Sequence, residues 1–203
     1  TAARGHNLVV VTPPAAVYAA PALAGLLGRL GGEGGARGLL LAPAADLDEW
    51  GALAHLLGRD LPARVQVAHG EARALRRLRA GELDLLITAP EVALALLRRS
   101  ALKVEDLAAL FLAWPEALGA DDAVTPLMHD LPKDAQRTVY TSSPDRAADL
   151  VERYARKAMT VGLPSPESAP PAPVGPVRTV SVSWQRRAAA LAEVAELLDP
   201  ASL

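Results

Sequence analysis

The chain is predicted to fold as a three-layer α/β domain, a doubly wound and mostly parallel sheet with helices on both faces. Three observations predict it. Short β-rich runs alternate with longer helical ones from Leu8 to Val161. Runs such as Gly38–Leu41 and Ala108–Leu112 are apolar almost throughout, as expected of strands buried on both faces. Each strand is followed by a segment long enough to cross back over the sheet as a helix, which is how parallel neighbours are connected.

Taken in order, the expected strands are Leu8–Thr12, Gly38–Leu41, Val65–Ala68, Leu83–Thr88, Ala108–Leu112 and Arg137–Tyr140, with a weaker one at Met159–Val161. The expected helices are Val17–Leu30, Leu47–Leu57, Glu71–Ala80, Glu91–Arg99, Ala123–Asp130 and Pro144–Arg156. Asp46 is positioned to cap the second helix, with Glu49 three residues on as its capping-box partner. Ser143 before Pro144 places a cap and then Pro at the first helical position. Gly31-Gly32-Glu33-Gly34-Gly35 reads as a flexible link.

Residues 1–163 are expected to form this domain. Pro occupies six of the thirteen positions 164–176 and the rest are mainly small or polar, so the segment reads as an extended linker. Residues 177–203 read as one strand and one amphipathic helix, either packed on the main body or opening a second domain cut off at Leu203. No internal repeat is visible.

Composition narrows the function classes. With 51% hydrophobic residues but only 3% aromatic, the core must be built from Ala, Leu and Val. A net charge of −2 argues against nucleic-acid binding through global charge and leaves room for local patches. The chain has no Cys, which removes disulfides and thiolate metal sites and fits an intracellular, cytoplasmic setting. No apolar run reaches the ~18 residues that span a bilayer. Nothing at the start reads as a signal peptide, and Thr1 without a preceding Met reads as a trimmed start.

The stretch from Asn7 to Ala20 carries the most information. It reads as strand, turn and helix start, where an α/β nucleotide-binding domain holds its phosphate loop. Such a loop needs glycines to bring N–H groups around phosphates, a Lys to reach them and a Ser or Thr for magnesium. Here the turn is Pro13, Pro14, Ala15, Ala16, Val17, Tyr18, Ala19, and its two prolines remove donors.

Further segments, in matching order, carry a family resemblance: Gly38-Leu-Leu-Leu-Ala-Pro-Ala-Ala-Asp-Leu47, Val67-Ala-His-Gly70, Leu83-Asp-Leu-Leu-Ile-Thr-Ala-Pro90, Leu107–Leu118 and Leu131-Pro-Lys-Asp-Ala-Gln-Arg-Thr-Val-Tyr-Thr-Ser-Ser143. Together they resemble the first RecA-like domain of the DEAD-box helicases, a P-loop NTPase-like fold, followed by the start of the second. They sit where the family has its Pro-Thr-Arg-Glu-Leu, paired-glycine, Thr-Pro-Gly-Arg, Asp-Glu-Ala-Asp and Ser-Ala-Thr motifs.

Carried over residue by residue, the resemblance implies a degenerate site. Tyr18 and Ala19 replace the phosphate-loop Lys and Thr, and Ala113-Trp114-Pro115-Glu116 replaces Asp-Glu-Ala-Asp. Only Glu116 keeps an acid. Ala45 and Glu91-Val92 stand where RNA-contacting residues are expected, and Thr141-Ser142-Ser143 stays chemically close to its counterpart. The family's adenine-recognising segment would lie upstream of residue 7. Losing the Lys and both carboxylates removes the electrostatic stabilisation on which phosphoryl transfer depends. The expectation is therefore no catalytic residue, no cofactor and no metal, with a vestigial nucleotide site at Pro14, Tyr18, Ala19, Trp114 and Glu116. Trp114 and Tyr18 are expected to fill it with apolar packing.

Arg73, Arg76, Arg77 and Arg79 give two readings: a basic patch for phosphates, or the solvated face of a helix whose Leu75 and Leu78 turn inward. His69 at a strand end reads as a turn residue more readily than as a ligand. Asp121-Asp122 and Asp46/Asp48/Glu49 are explained by helix N-termini, where negative charge is favourable.

Three functions compete. The first is a pseudoenzyme acting as a binding or scaffolding module for a protein partner or a second RecA-like domain. The second adds residual binding of RNA or another single-stranded nucleic acid through Arg73, Arg76, Arg77, Thr141, Ser142 and Ser143. The third is a fragment of an ATP-dependent RNA helicase with divergent motifs.

Overall fold

The computed structural model describes residues 6–30, 37–118, 121–162 and 189–190. The chain divides into two units, Thr1–Ser168 and Ala169–Leu203. The glycine link at 31–35 and the Pro-rich linker lie outside the described residues, as does the expected strand–helix tail apart from 189–190.

Seven strands form one sheet: β1 (Leu8–Val11), β2 (Gly38–Leu41), β3 (Val65–Ala68), β4 (Leu85–Thr88), β5 (Ala109–Ala113), β6 (Gln136–Thr141) and β7 (Met159–Gly162). Their order is β3-β4-β2-β5-β6-β1-β7 and each pairing is parallel. Six helices connect them: α1 (Ala20–Leu27), α2 (Leu47–Leu57), α3 (Glu71–Arg79), α4 (Pro90–Arg98), α5 (Asp121–His129) and α6 (Pro144–Tyr154).

Alternation along the strands builds two cores, because successive side chains point to opposite faces. Leu40, Phe111 and Tyr140 meet Leu23, Leu27, Trp50 and Ala54 from α1 and α2. Leu39, Leu41, Leu110, Leu112 and Val139 meet Leu78, Leu96 and Leu127 from the helices on the other face. The expected doubly wound, three-layer architecture is the one observed. The weakest expected strand is real, and β7 lies along β1 at the edge with Met159 and Val161 exposed. No described helix is long and apolar enough to cross a membrane.

Local differences from the sequence reading have local causes. The expected helix from Val17 divides into a 3-10 turn at Ala16–Ala19 and α1, because Pro21 lacks the N–H that a continuous α-helix would need there. Asp46 makes no side-chain cap, and Glu49 turns away from the capping box to another partner. Ser143 makes no side-chain cap either, although Pro144 does open α6. Where α2 crosses β3, a Cβ at Gly51 would collide with the Val67 side chain, so glycine sets the depth of packing there.

Buried charges tie the N-terminal edge of the sheet. Arg137 is buried, and its guanidinium donates to the backbone oxygens of Ala135 and Pro132, each at 2.8 Å. This fastens the Leu131–Gln136 turn that precedes β6. Burial draws the Arg137 pKa down. Asp84 accepts from Arg64 Nε at 2.9 Å, Nη2 at 2.8 Å and the Arg64 N–H at 2.7 Å, locking the entries of β3 and β4. Burial acts to raise the Asp84 carboxyl, but the bonds from Arg64 outweigh it and the group lies below its usual range.

Replacing Asp84 with Ala is expected to cost about 2–3 kcal/mol in urea unfolding, because three charge-assisted bonds go and Arg64 keeps only partial access to water. The folded-state pKa is depressed, so the stabilisation is complete above the ordinary Asp value of about 3.9 and is lost as pH falls through the folded value. A pH series from 6 down to 2, with Asp84→Asn as the reference, checks this.

Candidate functional site

Strands β5, β6 and β1 are neighbours, so the loops at their C-terminal ends share one rim, where ligands of open α/β sheets bind. The loop after β1 runs through Pro13, Pro14 and Ala15 into the 3-10 turn. Three of its N–H donors are already committed. The Ala15 N–H bonds Pro13 O at 2.8 Å, Tyr18 N–H bonds Ala15 O at 3.2 Å, and Ala16 N–H donates to Glu49 Oε1 at 2.9 Å. A carboxylate on α2 thus takes an N–H of the turn where a phosphate loop would offer its donors to an anion.

Beside this loop lies a cluster of rings. Trp114, only 4% exposed, is held between Trp50 at 6.2 Å and Tyr140 at 6.3 Å, measured between ring centroids. Trp50 and Tyr140 are 5.6 Å apart and Phe111 stacks on Tyr140 at 5.9 Å. The Tyr140 hydroxyl donates to Ala19 O at 3.2 Å, which pins the 3-10 turn to β6. Burial pushes its pKa well up, so it stays a neutral donor.

Trp114 adopts φ 52 and ψ 59, a left-handed conformation rare for a bulky residue and further restricted by Pro115. Its N–H bonds Tyr140 O at 2.9 Å and its carbonyl accepts from Ala117 at 2.8 Å. Packing and these two bonds hold the strained turn that brings Glu116 onto β6. Glu116 Oε1 accepts from the Ser142 N–H at 2.7 Å and the Ser142 hydroxyl at 2.8 Å. Its Oε2 accepts from the Thr141 hydroxyl at 3.0 Å.

Of the expected vestigial residues, Ala19 and Trp114 share one buried cluster, and Glu116 reaches the end of β6. Pro14 is exposed at the loop tip. Tyr18 does not fill the site: it is 51% exposed and Val17 beside it 62%, because the 3-10 turn sends Ala16 and Ala19 inward instead. The second ring in the cluster is Trp50, with Tyr140 behind it. Sequence reading placed Trp50 only on a helix, although the scarcity of aromatics was a signal that could have grouped them.

The candidate nucleic-acid residues fall into two separate places. Arg73, Arg76 and Arg77 lie on α3, which follows the edge strand β3. Thr141, Ser142 and Ser143 end β6, four strand steps away, about 19 Å at roughly 4.8 Å per step. Arg77 is committed to Gln66 Oε1 and Glu82 O, each at 2.9 Å, whereas Arg73 and Arg76 are exposed without ion pairs among the described residues. Thr141 is fully buried with its hydroxyl engaged twice, donating to Glu116 and accepting from the Ser143 N–H at 3.0 Å, so it has nothing to offer a ligand. His69 is exposed and pairs with Asp48 at 2.9 Å. Among the described residues no group of three or more His, Asp or Glu could hold a metal ion.

No family profile and no curated protein sequence matches the chain. Solved structures do. A DEAD box protein from the hyperthermophile Methanococcus jannaschii superposes with a TM-score of 0.69 at 13% identity, covering 96% of this chain and 54% of that one. The fold is that of the RecA-like domains of DEAD-box helicases. A hypothetical ATP-dependent RNA helicase from Sulfolobus tokodaii gives 0.68 at 15% identity over 79% of this chain and 49% of that one. A variant of S. cerevisiae Dbp5 bound to Nup159, Gle1, IP6 and ADP gives 0.63 at 13% over 78% and 44%. The chain spans about half the length of these structures.

Trp114→Ala should destabilise the fold by about 3–5 kcal/mol, the usual cost of emptying a large buried aromatic site. Glu116→Ala should cost about 2 kcal/mol by releasing three bonds that bind the β5 and β6 loops. Chemical denaturation followed by circular dichroism measures both.

Proposed function

We propose that this RecA-like domain is a catalytically inactive, helicase-like binding or scaffolding module whose nucleotide crevice is occupied by its own side chains. The observation that carries the reading is the rim of β5, β6 and β1. Glu49 takes the Ala16 N–H there, and Trp114, Trp50 and Tyr140 pack beside it. A triphosphate entering would meet a carboxylate at the loop and buried rings next to it. Tyr18 and Ala19 supply neither the cation nor the magnesium ligand that phosphoryl transfer requires. Glu116, the one remaining acid, is spent on Ser142 and Thr141.

The test is binding together with turnover. A nucleotide at 100 times its Kd would add ~2.7 kcal/mol to the folded state, about 5–10 °C in Tm for a domain of this size. The expectation is no measurable shift with ATP and magnesium and no phosphate release above background. A clear shift would overturn the closed crevice. Hydrolysis abolished by a change at Tyr18 or Glu116 would instead favour a fragment of an ATP-dependent RNA helicase with divergent motifs.

A weaker nucleic-acid function is supported by α3, where Arg73 and Arg76 are exposed and form no ion pair among the described residues. Single-stranded RNA binding should weaken with salt and fall about three- to tenfold in Arg73→Ala/Arg76→Ala. Arg77→Ala should lower Tm instead, since it breaks the bonds to Gln66 and Glu82. Filter binding and melting curves on the same variants separate the two effects.

A further inference from the structure

A cavity of about 240 Å³ is bounded by α5, α6 and the turn after β5, and nothing in the nucleotide or RNA readings uses it. Its apolar lining comes from Val124, Leu150 and Tyr154, and its polar lining includes Arg146, Asp149 and Arg153. The three charged groups stand on one helix, yet none forms an ion pair among the described residues. Arg146 reaches only Glu116 O, at 3.5 Å.

Arg146 is also in the wrong place for helix stability. It is the third residue of α6, beside the positive end of the helix dipole, where an acid is favoured and a cation is not. An unpaired cation in that position is compensated if an anion from elsewhere arrives. Arg153 lies seven residues on, about 10.5 Å along the helix axis, which equals roughly three residues of extended chain.

Size and charge select the ligand. The cavity is below the ~300–1,000 Å³ of small-molecule sites, and is suited to one inserted side chain. Asp149 stands between the two arginines and would repel a continuous polyanion such as a nucleic-acid backbone. It would accept an N–H from a peptide without difficulty.

We propose that the α5–α6 cavity binds an acidic peptide segment, seating one apolar side chain against Val124, Leu150 and Tyr154 between carboxylates held by Arg146 and Arg153. This deepens the binding-module reading and rests on it. The nucleotide crevice is judged separately by melting temperature, so failure here leaves that result standing.

The experiment sorts a random dodecapeptide display library on the immobilised chain and then on Arg146→Glu/Arg153→Glu, with Arg59→Glu, beyond the end of α2, as a control outside any proposed site. All three positions are exposed, so the fold is retained, and a melting curve verifies it. Selected sequences should carry an apolar residue flanked by Asp or Glu about three residues apart. Their affinity should drop at least tenfold in the double variant, weaken with salt and be unchanged in Arg59→Glu. Selection without acidic enrichment, or binding that survives charge reversal, overturns the proposal. A uridine decamer that displaces the peptides through Arg146 and Arg153 would assign the cavity to nucleic acid and overturn it equally.

Discussion

The packing of Tyr140 is the constraint on which the ligand-facing end of this sheet depends. It is fully buried on β6, touches Trp50, Trp114 and Phe111, and holds the loop after β1 through its hydroxyl. The chain owns seven aromatic side chains, and four of them meet here. The concentration matters because large rings bury the most area per residue and prefer tilted contacts, so they pack this end of the core more densely than Ala and Leu alone would. The left-handed turn at Trp114 is sustained by the same packing.

Two carboxylates complete that end in the same manner. Glu49 reaches from α2 to the β1 loop, and Glu116 reaches from the β5 turn to the end of β6. Each accepts hydrogen bonds from the protein itself and joins elements that are distant in the chain. Charges that in a nucleotide-binding site would face a ligand and its metal here serve as internal fastenings. This links the fold's stability to the rim formed by β5, β6 and β1.

The arginines divide along similar lines. Arg64 and Arg137 are spent on Asp84 and on backbone carbonyls at the opposite end of the sheet, while Arg77 secures α3 to β3. Arg73, Arg76 and Arg153 remain without such partners among the described residues, and Arg146 has only its long contact to Glu116 O. Cations left unpaired near apolar side chains give a surface the capacity for recognition. The proposed binding-module role draws on that capacity.

Much of the architecture could be read before folding was considered. Apolar runs such as Gly38–Leu41 and Ala109–Ala113 are local signals, because burial on both faces of a parallel sheet demands them of each strand independently. That Pro13–Ala19 carries no Lys, and Ala113–Glu116 a single acid, is equally plain from residue identity. What escaped was partnership. Glu49 has the spacing of a capping box, yet its bond goes to Ala16, thirty-three positions away. Tyr18 had the chemistry of a plug and faces solvent, while the ring beside Trp114 is that of Trp50. Strand order brings β5, β6 and β1 side by side, and order is a property of the whole chain that no window of residues contains. Residue identity settles which side chains are apolar or charged, whereas which of them meet at the rim of β5, β6 and β1 follows from the folded chain, because strand order and packing join residues that lie far apart in sequence.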